Sequence, residues 1–460
     1  MVIKKQESKR IQTLKHKSRR QSIKEGIFAS ANFSIGERYF SPFAIAINAS
    51  NSMVAMLGSI TGLLGPISQL FGSKLIEKKS RKKIVLRNVL LQALMWLPII
   101  IIALLFQFGI ITKILPLVFL FFFSFYVIFS NIPYPAWFSW IGDIVDENFR
   151  GKWFSKRTLL KGFVSVVLAL CSAFILDYFK KQNLAIIGFI VLFSLAMVCE
   201  LMVWKSFKKQ YEPKLKLKKG DYFSFWDFFK NIKKNNFGKF TIFRGLLAFS
   251  ISISSPLVVI YLLRYLNFNY VTYILITISG TFFSLIFLEL WGKIADKYGN
   301  YKVIVLTTLI IPFVPILWIL SDSIIYLIFI PSMISGIVWA GFSLACGNLI
   351  YDNVSSQKRG LAISYYNMVI GIGIFLGAGL GALLIKFLTI KIIEPLFAIF
   401  IFGSILRMCV VYVLLPRVKE IKKHKKFKGR ALRKMLLKET RPTIIEEAHE
   451  IMSIKKYVRE

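Results

Sequence analysis

The sequence predicts an all-α membrane protein whose twelve transmembrane helices form two six-helix halves. Three observations predict it. Apolar blocks reach membrane-spanning length, basic residues are confined to alternate loops, and two loop motifs recur between the halves.

Of the 460 residues 56% are hydrophobic and 43 are Phe. Mean hydropathy is +0.61. The apolar residues come in unbroken runs such as VLLQALMWLPIIIIALLF and YILITISGTFFSLIFLEL. A hydrocarbon core of about 30 Å needs about 20 residues of helix. The spans read as 26–47, 53–73, 84–107, 114–138, 158–179, 183–204, 242–264, 270–291, 302–320, 324–347, 361–385 and 393–415. Runs this long and uniformly apolar exclude the alternating strands of a barrel. Five regions follow: a basic N-tail (1–25), a first bundle (26–204), a central loop (205–241), a second bundle (242–415) and a basic C-tail (416–460). The first apolar block could pass for a signal peptide, with AINAS as a loose cleavage site. It carries Glu37 and Arg38 at its middle and leads into another span, so it is read as an uncleaved first span.

A formal charge of +38 invites nucleic acid as a partner. Placing the charges weakens that reading, because 53 of the 61 Lys and Arg sit in the tails and alternate loops of one side, 6 on the other and 2 inside spans. By the positive-inside rule both termini and the central loop lie in the cytoplasm of a cell-membrane protein. Cys171, Cys199, Cys346 and Cys409 stand singly in apolar stretches and read as inert core residues, with neither a disulfide framework nor a metal site. The three histidines, His16, His424 and His449, all lie in the tails, so no zinc or His-based chemistry is expected. No Walker-type sequence and no nucleophile-base set is present, which argues against an ATP-driven pump and against an enzyme. The YFSFWDFFKNIKK stretch of the central loop fits an amphipathic helix on the membrane face, or a solvated linker. The C-tail fits an anionic lipid or acidic partner, or plain topogenic charge.

Two loop pairs repeat. EKKSRKKIV, from Glu77 after span 2, matches DKYGNYKVIV, from Asp296 after span 8, with Lys83 and Lys302 six residues after the acid. DIVDENFRG, from Asp143 after span 4, matches DNVSSQKRG, from Asp352 after span 10, with Arg150 and Arg359 seven residues on. Two pairs in register with the topology mark a duplicated six-helix unit.

At these residues the chain resembles the major facilitator superfamily (MFS) of secondary transporters. GKIADKYGNYKVIV (292–305) is similar to that family's loop between helices 8 and 9; the first copy is degenerate, with Ser73 and Ser80 matching Gly292 and Gly299. WIGDIVDENFRGKWFSKR and NLIYDNVSSQKRGLAISYYN resemble the loops after helices 4 and 10. Residues 41–75 resemble helices 1 and 2 of a poorly characterised prokaryotic branch. The resemblance spans about residues 22–416. It implies two pseudo-symmetric six-helix bundles around a cavity lined by spans 1, 4, 7 and 10, which rock to give alternating access. It implies a small-molecule substrate, membrane lipid as surroundings, no nucleic acid, no cofactor beyond a coupling proton or Na+, and a monomer. Span 5 lacks the Gly-Pro element that resembles drug/proton antiporters. A scaffold or receptor, or a lipid flippase on the same architecture, is the rival reading.

Candidate residues follow from chemistry. Gly292 and Gly299 suit close helix approach and a tight turn. Asp296 suits a helix N-terminus or a pair with Lys302, and Arg150 and Arg359 suit Asp143, Asp352 or exposed carbonyls. With Glu77 and Lys83 these form either a cytoplasmic gate or a static clasp. Glu37 and Arg38, in mid-span, each cost at least about 2.5–3.5 kcal/mol if exposed to lipid. They read as a coupling carboxylate and an anion contact, or as a permanent ion pair. Asn32, Asn131, Tyr134, Ser252, Ser255, Trp339 and Ser343 are polar or aromatic candidates on the expected lining spans. Glu200 is expected to reach Lys205 or the interface, Arg407 to serve between helices, and Asp177 and Glu289 to be solvated. Gly373, Gly377 and Gly381 form a small-residue packing stripe.

Overall fold

The computed structural model describes residues 2–76, 78–145, 147–213, 225–354, 359–388 and 394–419, and among them it is helical with no strand. Among the described residues eleven helices are long and apolar enough to cross a membrane, from Asn51–Leu75 to Pro395–Arg417. The expected first span completes the set of twelve in broken form. Its helix runs Val2–Ile35, gives way to a 3-10 turn at Glu37–Tyr39, and resumes as Phe40–Ala46. The expected tail boundary at residue 25 therefore falls inside one continuous helix. Gly36 makes the break, since a Cβ there would stand 2.5 Å from the Trp96 ring and 2.6 Å from Ala196.

The chain divides into two compact units. The first comprises Met1–Gly220 with Ser255–Ile274 and Ile370–Ile390, and the second comprises Asp221–Ser254, Leu275–Val369 and Lys391–Glu460. The first unit thus gathers spans 1–6 together with the far ends of spans 7, 8 and 11.

Two cores hold the first unit. One is aromatic: Phe40 stacks on Trp96 at 5.1 Å and meets Tyr126 edge-on at 5.1 Å, while Phe43 meets Phe193 at 5.0 Å. Such pairs add about 0.5–1.5 kcal/mol each beyond their buried area. The other, around Val85, Ala136, Trp140 and Phe207, lies toward the basic loops. There the N-terminal helix is pinned to span 5 by a buried ion pair, Arg157 to Glu25 at 2.9 Å, with the same guanidinium over the Trp137 ring at 5.0 Å.

The captured ends of spans 7, 8 and 11 are tied in on the lightly charged side. Arg264 donates to the Ala49 carbonyl and to Asn51 Oδ1. Ser59 donates to the Phe375 carbonyl at 2.9 Å. A Cβ on Gly371 would stand 2.4 Å from the Gly62 carbonyl oxygen, so span 11 approaches span 2 closely at a glycine outside the expected stripe. Asp177, expected to be solvated, is buried and accepts from Tyr270 N and Val271 N, both at 2.8 Å. It caps the helix Tyr270–Tyr298, where a carboxylate meets unpaired N–H groups and the positive end of the dipole. Glu289 pairs with Lys293 at the half-exposed surface, as a near-solvent acid should.

In the second unit Arg407 is 5% exposed and has no carboxylate partner among the described residues. It donates to Ser254 Oγ at 2.8 Å and the Ile251 carbonyl at 3.0 Å, where span 7 loosens into turns. Two charge-assisted bonds at about 1.5–3 kcal/mol each match the insertion cost of the charge. The interhelical role expected of Arg407 is met. The cysteines are free; only Cys346 is buried, while Cys171 and Cys409 are exposed on span surfaces rather than in a core.

Replacing Asp177 with Ala is expected to destabilise the protein by about 1–3 kcal/mol through two lost capping bonds. Thermal unfolding in detergent measures it, and an unchanged midpoint would show that the cap carries no stability.

Candidate functional site

The break in span 1 decides what its two charges meet. On a 3-10 turn consecutive side chains point about 120° apart. Glu37 therefore turns into the six-helix interior while Arg38 turns away from it. Glu37 Oε1 accepts from Tyr126 Oη at 2.9 Å and from Asn32 Nδ2 at 3.1 Å. Tyr126 Oη in turn accepts from Asn32 Nδ2 at 3.2 Å and Gln92 Nε2 at 3.0 Å. The phenol is thereby saturated, with two bonds accepted and its one proton committed to the carboxylate. Asn32 is 1% exposed, and its Oδ1 has no partner. Among the described residues Glu37 forms no ion pair, so the alternative of a Glu37–Arg38 pair is not what this structure holds. Arg38 instead lies over the Phe33 ring at 5.3 Å, its Nε buried without a hydrogen-bond partner.

Glu200 does not reach toward Lys205. It is 3% exposed, and it lies near enough to Glu37 and Glu25 for their charges to interact. Lys161 lies within electrostatic reach of Glu37, and among the described residues the two form no ion pair. Two carboxylates in one apolar interior raise the cost of holding both ionised.

The remaining lining candidates scatter. Asn131 accepts from Gln69 at 2.9 Å and donates to the Val127 carbonyl, joining span 2 to span 4. Tyr134 is 48% exposed beside Trp137. In the second unit Ser252 is buried and Ser343 is exposed, and Ser254 is the residue that works as an acceptor, for Arg407; Ser255, in the first unit, is exposed. Trp339 packs edge-on against Phe342 at 5.4 Å. That same Phe342 ring carries a guanidinium the sequence had counted as loop charge. Arg244 lies over it at 4.5 Å and donates to Tyr366 Oη at 2.9 Å. The span-7 helix starts at Asn236, not 242, which puts Arg244 about 12 Å along it.

The gate residues are placed unevenly. Glu77 lies outside the described residues, and so do the side chains of Arg150, Asp352 and Arg359. Gly299 has φ +99°, a conformation that needs glycine. Gly292 does not need to be small for packing, because a Cβ there would meet nothing nearer than Leu344 at 3.9 Å. Asp296 and Lys83 are exposed, and Lys302 is half-buried. Asp143 is held by Arg81, a residue the sequence reading passed over in favour of Lys83. Arg81 is 1% exposed and donates to Asp143 Oδ2 at 2.7 Å, to Ser139 Oγ at 3.0 Å and to the Pro213 carbonyl at 2.8 Å. One guanidinium thus ties the loop after span 2 to the end of span 4 and to the start of the central loop.

Arg81→Ala is expected to cost about 3 kcal/mol, because it strips three partners from one buried position. Asp143→Asn keeps an oxygen acceptor and should cost about 1 kcal/mol. Equal losses in thermal unfolding would refute the assignment of Arg81 as the hub.

The sequence model of the Major Facilitator Superfamily matches residues 240–452. No curated protein matches the chain in sequence. Among solved structures, the nucleoside transporter NupG is similar over 88% of this chain and 99% of its own, at 13% identity and a TM-score of 0.62. A bacterial homologue of the iron transporter ferroportin, in an inward-facing state, is similar over 88% of this chain and 99% of its own, at 14% identity and a TM-score of 0.67. A D-xylose-proton symporter is similar over 89% of this chain and 99% of its own, at 14% identity and a TM-score of 0.65. Identities this low carry the fold and nothing about the cargo. The twelve-span fold, its duplicated loops and the matched second half agree: the chain is a multi-pass membrane protein with the fold of these transporters, and its residues 240–452 match the model of the Major Facilitator Superfamily.

Proposed function

We propose that the protein is a secondary transporter of the cell membrane, with both termini in the cytoplasm, that moves a small solute by alternating access coupled to protonation of Glu37. The observation that carries this reading is a carboxylate inside the first bundle, hydrogen-bonded by Asn32 and Tyr126 and without a countercharge among the described residues. An acid so placed is cheap to keep neutral and costly to keep charged. It therefore exchanges its proton only when the bundle opens toward water. Glu200, a second buried acid whose charge reaches Glu37, gives the proton an alternative host. A D-xylose-proton symporter is among the neighbours in fold, which agrees with the reading without specifying the cargo.

The contacts on the lightly charged side supply a gate of the kind alternating access needs. The bonds from Asp177 to Tyr270 and Val271, and from Arg264 to Ala49 and Asn51, are polar and exchangeable for water. In the second unit Arg244, on its Phe342 and Tyr366 platform, is the cation best suited to meet a polar solute.

A thermal-stability screen of the purified protein against sugars, nucleosides and organic anions tests the reading. A solute at about a hundredfold excess over its Kd stabilises by about 2.7 kcal/mol. The wild type should show a stabilisation that depends on pH, and Glu37→Gln should abolish the pH dependence while keeping the fold. A pH response that survives in Glu37→Gln would remove Glu37 from the coupling.

A further inference from the structure

On the first unit, spans 2, 3 and 4 leave a groove of about 650 Å³ near the basic loops. Its walls are Phe71, Leu75, Leu91 and Phe129, and its rim carries Lys79, Lys83 and Arg87. Lys83 and Arg87 are four residues apart on the helix Arg81–Leu94, so they share a face and stand about 6 Å apart in depth. All three cations are exposed, and among the described residues none of their side chains has a hydrogen-bond or ion-pair partner. This contrasts with Arg81 in the same loop, which spends its guanidinium on the protein itself.

We propose that this groove binds an anionic phospholipid from the leaflet on the basic side. Its headgroup phosphate would sit among Lys79, Lys83 and Arg87, and an acyl chain would lie against Phe71, Leu75, Leu91 and Phe129. Two features select this occupant. The charge is uniformly positive and unspent, which complements an anionic headgroup, and each basic residue near such a surface adds about 1 kcal/mol. The polarity also runs along the groove in the direction a lipid requires, cations at the water-facing end and apolar walls toward the bilayer interior. A soluble anion would use the rim and leave the walls idle, whereas an uncharged apolar molecule would use the walls and leave three cations unpaired. The volume lies inside the range of about 300–1,000 Å³ found for ligand sites. The site includes Lys79 and Lys83 of the duplicated loop, so a bound lipid touches the segment that Arg81 anchors.

The test uses full-length protein in detergent, titrated with phosphatidylglycerol, with phosphatidylcholine of the same chains, and with soluble glycerol phosphate, and read by native mass spectrometry. The wild type should retain phosphatidylglycerol in preference to the other two. The triple variant Lys79→Gln, Lys83→Gln, Arg87→Gln should bind phosphatidylglycerol at least about tenfold more weakly. The equally charged-down control Lys205→Gln, Lys208→Gln, Lys209→Gln should bind it as the wild type does. Leu75→Trp, which fills the groove and leaves the cations in place, should also lose the lipid, and it guards against a misfolded triple variant. Equal loss in the triple variant and the control overturns the proposal. So does glycerol phosphate competing as well as the lipid, or phosphatidylcholine retained equally.

Discussion

A charge inside a membrane span has to be solvated by the protein, because the hydrocarbon around it offers no hydrogen bonds. Much of the architecture answers that requirement. Arg407 is met by a serine and a backbone carbonyl where span 7 loosens, so a break in one helix feeds the side chain of another. Arg244 is met by an aromatic face and a phenol. Glu37 is met by a phenol and an amide that reach across from span 4 and from the preceding turn of its own helix. Among the described residues none of the three charges is paired with an opposite one. Neutral partners can hold either protonation state of an acid, which an ion pair cannot do without losing its own attraction.

The break in span 1 belongs to the same logic. An unbroken helix would turn Glu37 and Arg38 about 100° apart onto a cylinder already packed by Trp96 and Ala196. Gly36 lets the helix close on those neighbours and tighten, which sends the acid inward and leaves the guanidinium over Phe33. The aromatic core around Phe40, Trp96 and Tyr126 then fixes the phenol that holds the acid. Packing and polarity are not separable here, since the ring that buries the site also supplies its hydrogen bond.

The spans were legible because apolar run length and loop charge are long, redundant signals that one misplaced boundary does not erase. Side-chain partners were not, because they depend on helix rotation and on where a helix starts. Arg244 shows the second cause: with the helix beginning at Asn236 rather than 242, a residue at the expected edge of the span, counted with the loop charge, lies about two turns inside it. Arg81 shows the first. It stands in a run of five cations, Lys78 to Lys83, and only its position on the buried face of the helix separates it from Lys83 on the exposed one. Asp177 was misjudged because closeness to a span end suggests water, whereas here the end is covered by the start of span 8. Tyr126 carried no motif at all; its role exists only because spans 1, 3 and 4 converge on it.

The lightly and heavily charged sides are built from different materials for a physical reason. On the lightly charged side, contacts run mostly through backbone groups: the Phe375 and Ala49 carbonyls and the Tyr270 and Val271 amides. Backbone partners are available wherever a helix ends, so this side can be fastened with few charges, and each bond has a ready substitute in water. On the basic side, guanidinium groups fasten elements to carboxylates, as Arg157 does to Glu25 and Arg81 to Asp143. A bound carboxylate also hides part of the positive charge that topology places there. The proposed alternating access has to release one side at a time, and the two sides then need different strengths. Hydrogen bonds to backbone ends break one by one at about 0.5–1.5 kcal/mol each, whereas a buried ion pair yields only as a unit.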